Sequence, residues 1–214
     1  MRWNVTDIVE SVVAGLKAAA AAFDSEQAVY SIDSYNELQL HPIIQQALRD
    51  AGFGVHTEQP YPADRYGRGK KSDAKRCDIV LSAPDQPLID PQAEATLFGD
   101  SDALPMEAAY WLEVKTVSQY TTEGPFPRYA SELLSPGAQD IRQLSKDPMI
   151  FHAGLLLVLF TADEATARHD LAVWEARCLR RGYPVASPLI RGFDINDRMG
   201  NGYALVALIA VRRL

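Results

Sequence analysis

The run "AGLLLVLF" at 153–160 constrains this chain more than any other stretch. It is apolar at every position, so both faces of the strand it predicts must be covered by other elements. A second run, "YALVALIAV" at 203–211, makes the same demand. Both are strand-length and far short of the roughly 20 apolar residues of a membrane span. The remaining segments supply the covering layers. Residues 5–23, with Thr6 and Asp7 at the start, read as a helix rich in good helix formers. Residues 34–51 read as a second helical segment that stops at Gly52, and Pro42 inside it predicts a break into two short helices. "GAQDIRQLSK" and "EATARHDLAVWEARCLRRG" read as further helices, and "FGVHTEQPY" and "KRCDIVLSA" as strands. Strands and helices mix throughout 214 residues. The expected class is therefore α/β, a mixed central sheet flanked by helices in one domain spanning 1–214. Residues 1–33 form its N-terminal helical segment. Residues 84–105, rich in proline and acid and free of Lys and Arg, are expected to be a surface insertion.

Within this frame the stretch "AYWLEVKTV" at 109–117 is anomalous. Glu113 and Lys115 interrupt an apolar strand and, two residues apart, point to the same face. Trp111 shares that face and is expected in the core or a cleft wall. Charges there must be paired, solvated or bound to something. In "KRCDIVLSA", Asp78 breaks a second apolar strand in the same way. Adjacent strands would bring Asp78 and Glu113 within a few ångströms of each other. Two carboxylates that close repel unless a divalent cation lies between them. With no HExxH, no GxSxG and no zinc spacing among four histidines and two cysteines, oxygen ligands suit Mg²⁺ or Mn²⁺. Lys115 on the same face would then meet a phosphate oxygen or an attacking water, a site for metal-assisted phosphodiester hydrolysis.

Charge patterning points the same way. The chain carries −7 overall, which excludes an indiscriminate polyanion binder, yet "RYGRGKKSDAKR" at 65–76 holds six cations against one acid. Within it "GRGKKS" resembles a phosphate loop but lacks the required first glycine and the hydroxyl after the lysine. The N-terminus does not look like a signal peptide, and Cys77 and Cys178, a hundred residues apart, read as free thiols of a reducing cytoplasm.

The order of these residues resembles the PD-(D/E)XK nuclease superfamily, with its restriction-endonuclease-like fold. The likeness covers about residues 34–162: a helix bearing Glu37, a strand with Asp78, then Glu113-Val114-Lys115. It implies that Asp78, Glu113 and the Val114 carbonyl bind the metal and that Lys115 positions water or stabilises charge. Glu37 would assist as a further metal ligand or through a water. It also implies nucleic acid, with DNA the first expectation, as the substrate. Arg65, Arg68, Lys70, Lys71, Lys75, Arg76, Gln139 and Gln143 are the expected nucleic-acid contacts. Cys77 stands where the motif has proline, and the 22-residue insertion between the two strands is long. With no separate specificity domain in view, a homodimer or a protein partner is left to supply targeting. Two plainer readings compete. One is a nuclease fold that only binds nucleic acid or protein; the other is an unrelated α/β protein in which Glu113 and Lys115 form a cross-strand salt bridge. His41, one turn beyond Glu37, reads as a structural histidine.

Overall fold

The computed structural model describes residues 3–63, 75–89, 103–135 and 137–214. Its centre is a six-stranded mixed sheet in the order β1-β2-β3-β6-β8-β7. The strands are β1 (Gly54–Pro60), β2 (Arg76–Ser82), β3 (Tyr110–Ser118), β6 (His152–Thr161), β7 (Leu189–Asp194) and β8 (Tyr203–Val211), and a small β4 (Tyr120–Thr121) and β5 (Gly124–Pro125) hairpin stands apart. All neighbours are antiparallel except β3 and β6, which run parallel over nine residue pairs from Tyr110↔His152 to Ser118↔Phe160. The "AGLLLVLF" run is β6, buried throughout, and it sits between β3 and β8. Its odd residues Leu155, Leu157 and Leu159 face one core, its even residues Leu156, Val158 and Phe160 the other.

Helices α1 (Val5–Ser25) and α2 (Glu37–Asp50) cover the even face. Helices α4 (Ala138–Lys146) and α5 (Glu164–Arg180) cover the odd face, with a short α3 (Tyr129–Leu134) before them. The α2 stripe of Leu40, Ile44 and Leu48 is fully buried, each side chain contributing about 1.5–3 kcal/mol. Gly15 fixes how closely α1 lies on α2, because a Cβ there would come 2.4 Å from the Ala47 Cβ.

One expectation needs correction. Pro42 does not split the second helical segment; α2 runs unbroken through it. Asn36 and Gln39 form a reciprocal capping box at its start. The bond that Pro42 forgoes is the one to the Leu38 carbonyl, on a residue that stands 73% exposed, where water can serve instead. The described ends of the 84–105 segment return to the sheet side by side. Its ends are pinned together, Leu104 N–H donating to the Pro87 carbonyl at 2.7 Å and Ile89 N–H to the Leu104 carbonyl at 2.9 Å, and Leu104 is buried. Residues 90–102 lie outside the described residues. Strand β7 forms over a stretch whose residue pattern carries little strand signal. Cys77 and Cys178 are both buried free thiols. Among the described residues no helix is long and apolar enough to cross a membrane.

Candidate active site

The site begins where β2 stops covering β3. Pairing between them runs through Leu81↔Tyr110, Val80↔Trp111 and Ile79↔Leu112, and the next step of that register sets Asp78 against Glu113. Beyond it β3 keeps β6 on one side but has no strand on the other. The backbone N–H groups left on that open edge are satisfied by side chains. Val114 N–H donates to Asp78 Oδ2 at 2.8 Å and Thr116 N–H to Glu37 Oε2 at 3.3 Å. Two carboxylates thus stand in for the missing strand. In an antiparallel ladder a residue's N–H and C=O face the same neighbour, so the Val114 carbonyl points to the same edge. Opposite Asp78, β1 is distorted: Glu58 sits in the left-handed region at φ 52°, a sparsely populated conformation for a non-glycine residue.

Glu113 is 4% exposed. One oxygen accepts the Tyr61 hydroxyl, and the carboxyl lies in hydrogen-bonding contact with Asp78. Burial, then the charge of Asp78, pushes Glu113 up to about 9, against the opposing pull of the Tyr61 hydrogen bond. The upward shift favours a proton held by the carboxyl pair in the metal-free protein. Tyr61 stacks on Trp111 with ring centroids 5.9 Å apart, and Trp111 is wholly buried with its indole N–H on the Met106 carbonyl at 3.1 Å. Trp111 is thus core, the floor beneath the site.

Lys115 turns to other acids. Its Nζ lies 3.2 Å from Glu37 Oε1 and 3.7 Å from Asp140 Oδ2. Burial works against its charge, but Glu37, Asp140 and Asp78 outweigh it and hold the amine above the ordinary lysine range. It remains an ammonium at neutral pH and cannot serve as a general base there. Among the described residues no cationic group is ion-paired with Glu113. The plain salt bridge between Glu113 and Lys115 is accordingly not what forms.

Asp78 also meets α2. Donor atoms of Asp78, Glu37 and His41 all lie within 4.8 Å of one another. His41 is only 6% exposed, and its buried Nε2 has no hydrogen-bond partner among the described residues. The donors suit a divalent cation: converging carboxylates, a buried ring nitrogen with no partner among the described residues, and the Glu113 carboxyl beside them.

The fold therefore brings Glu37, Asp78, Glu113, Val114 and Lys115 together at one open strand edge. Lys75, Arg76, Gln139 and Gln143 line the same cleft of about 270 Å³ as Asp78, Glu113 and Lys115. Arg65, Arg68, Lys70 and Lys71 lie outside the described residues. Sequence reasoning missed Tyr61 and Asp140 and gave His41 a structural role. The one available signal for His41 was its spacing four residues after Glu37, which puts both on one helix face. Comparison of the chain with protein-family models, curated proteins and solved structures finds no match.

Proposed function

We propose that this protein is a divalent-metal-dependent nuclease that hydrolyses phosphodiester bonds of nucleic acid, with DNA the substrate indicated by the superfamily likeness of its Asp, Glu-x-Lys pattern. One observation carries the reading: buried Glu113 shares a hydrogen bond with the Asp78 carboxyl and, among the described residues, has no cation of its own. An ionised pair of carboxylates there calls for a positive charge beside it, which a bound divalent cation would supply. Asp78 would be the common ligand, with Glu113, the Val114 carbonyl, Glu37 and His41 as the further groups that would hold the ion. When bound, Mg²⁺ or Mn²⁺ supplies Lewis-acid polarisation of the phosphoryl oxygen and a bound water of lowered pKa. Lys115, held as an ammonium, stabilises charge building on the phosphoryl oxygens or fixes the attacking water through an N–H donor. Tyr61 holds the Glu113 carboxyl in place, and Lys75, Arg76, Gln139 and Gln143 line the approach.

The test is cleavage of supercoiled plasmid and of single-stranded DNA with Mg²⁺ or Mn²⁺, with chelator as control. Metal-dependent cleavage by the wild type, lost in Asp78→Asn, is the expected result. Equal cleavage by both, or none by the wild type with either metal, would sink the proposal.

A pH dependence follows from Glu113. Because metal binding requires the carboxylate and the metal-free protein holds the acid up to about pH 9, binding must expel a proton. Mn²⁺ titration calorimetry near pH 7, in buffers of different ionisation heat, should show up to one proton released per ion. Apparent affinity should rise by up to about tenfold per pH unit toward pH 9. An affinity flat between pH 6 and 9 would contradict it.

A further inference from the structure

On the far side of α4 from its N-terminus, three elements gather positive charge that the site itself does not use. Exposed Arg142 and Lys146 lie on α4, Arg180 and Arg181 at the end of α5, and Arg212 and Arg213 just after β8. Direct contacts tie these segments into one surface. The Arg142 guanidinium lies over the Tyr183 ring at 5.5 Å, and Arg181 Nη1 donates to the Tyr183 hydroxyl at 3.5 Å. Arg212 N–H donates to the Pro184 carbonyl at 2.7 Å, and Leu214 N–H to the Ser145 carbonyl at 3.0 Å. Arg213 stands over the half-exposed Phe151 ring at 4.9 Å.

Among the described residues, none of these six cations is ion-paired with a carboxylate. The nearby Asp147 is buried and spends its oxygens on the backbone N–H groups of Ala63 and Met149. On a chain of net charge −7 this is a segregated field rather than a diffuse one. The patch is also connected to the cleft. Gln139, Gln143 and Lys146 fall at i, i+4 and i+7 on α4, one stripe that starts at the cleft lining and ends among the arginines. Seven residues of helix span about 10 Å, the axial rise of roughly three nucleotides.

We infer that this surface is the track for the sugar-phosphate backbone of the substrate strand as it leaves the cleft. The inference rests on the nuclease reading and extends it. On the α4 side of the cleft, Gln139 and Gln143 meet the backbone near the reacting phosphate. Arginines, two of them lying over aromatic rings, neutralise phosphates farther along. The polyanion the patch fits is therefore continuous with the site rather than a separate partner.

The experiment compares the wild type with Arg180→Ser/Arg181→Ser/Arg212→Ser/Arg213→Ser, using a labelled 20-base-pair DNA in fluorescence anisotropy and bis(p-nitrophenyl) phosphate as a small diester substrate. The four-fold variant should bind DNA at least tenfold more weakly at 100 mM salt. Its plot of log affinity against log salt should be shallower by about three to four units. Turnover of the small diester should be unchanged, since it does not reach the patch. A control variant, Arg49→Ser/Arg191→Ser on other faces, should keep the wild-type slope. Unchanged DNA affinity and slope in the four-fold variant, or an equal loss in the control, overturns the track while leaving the nuclease reading intact. A wild type that neither binds DNA nor hydrolyses the small diester removes both.

Discussion

Glu113→Gln is expected to make the metal-free protein more stable at pH 7 by roughly 2–3 kcal/mol while lowering metal-dependent cleavage on the order of a thousandfold. Glutamine copies the protonated acid that the site already holds. Its carbonyl accepts the Tyr61 hydroxyl and its amide donates to Asp78, so both contacts survive. The sign of the stability change follows from the upward shift. A carboxyl raised from 4.5 to about 9 on folding contributes stability that is complete below pH 4.5 and is lost progressively as pH rises through 9. The variant escapes that loss. Chemical denaturation at pH 4, 7 and 9 in chelator should show the two proteins converging at pH 4 and separating above it. What glutamine cannot supply is a negative ligand, so cleavage falls. A variant less stable than the wild type at pH 9 would mean that Glu113 is ionised and paired in the native protein.

Lys115→Ala is expected to separate binding from chemistry in the opposite manner. Removing the ammonium should lower cleavage by about 10²–10³, the usual cost of deleting one donor aimed at developing charge. The same substitution frees Glu37 and Asp140 from their cation and takes a positive charge away from beside Asp78. Mn²⁺ should therefore bind more tightly to the variant than to the wild type, by several-fold, as calorimetry would read. Weaker Mn²⁺ binding would mean that Lys115 organises the ligands rather than acting on the substrate. In that case the plain ion pair with Glu37 is its main role.

Much of this arrangement was legible because strand parity is a local property. The apolar runs predicted β6 and β8, and the alternation in "AYWLEVKTV" set Glu113 and Lys115 on one face before any fold was known. The pairing of Glu113 with Asp78 needed only that β2 and β3 be neighbours, which they are. What sequence pattern did not carry were contacts made across the fold. Lys115 meets a glutamate 78 positions away, and Tyr61 reaches Glu113 from the loop after β1, partners no periodicity encodes. Strand β7 escaped notice because "LIRGFD" mixes exposed arginine and glycine with few buried residues, the weak signature of a sheet edge. The continuity of α2 through Pro42 was lost to propensity alone, since the cap at Asn36 and the buried stripe outweigh one missing hydrogen bond.

The uncovered half of β3 has a consequence beyond chemistry. An open strand edge in the middle of a sheet invites another chain to pair with it, and such edges seed aggregation unless something blocks them. Here the blocking groups are Asp78 and Glu37, whose oxygens already occupy the Val114 and Thr116 N–H groups an incoming strand would seek. The acids proposed to hold the ion are thus also gatekeepers of the strand edge, and the charge that makes the site costly to bury keeps that edge from recruiting a stranger.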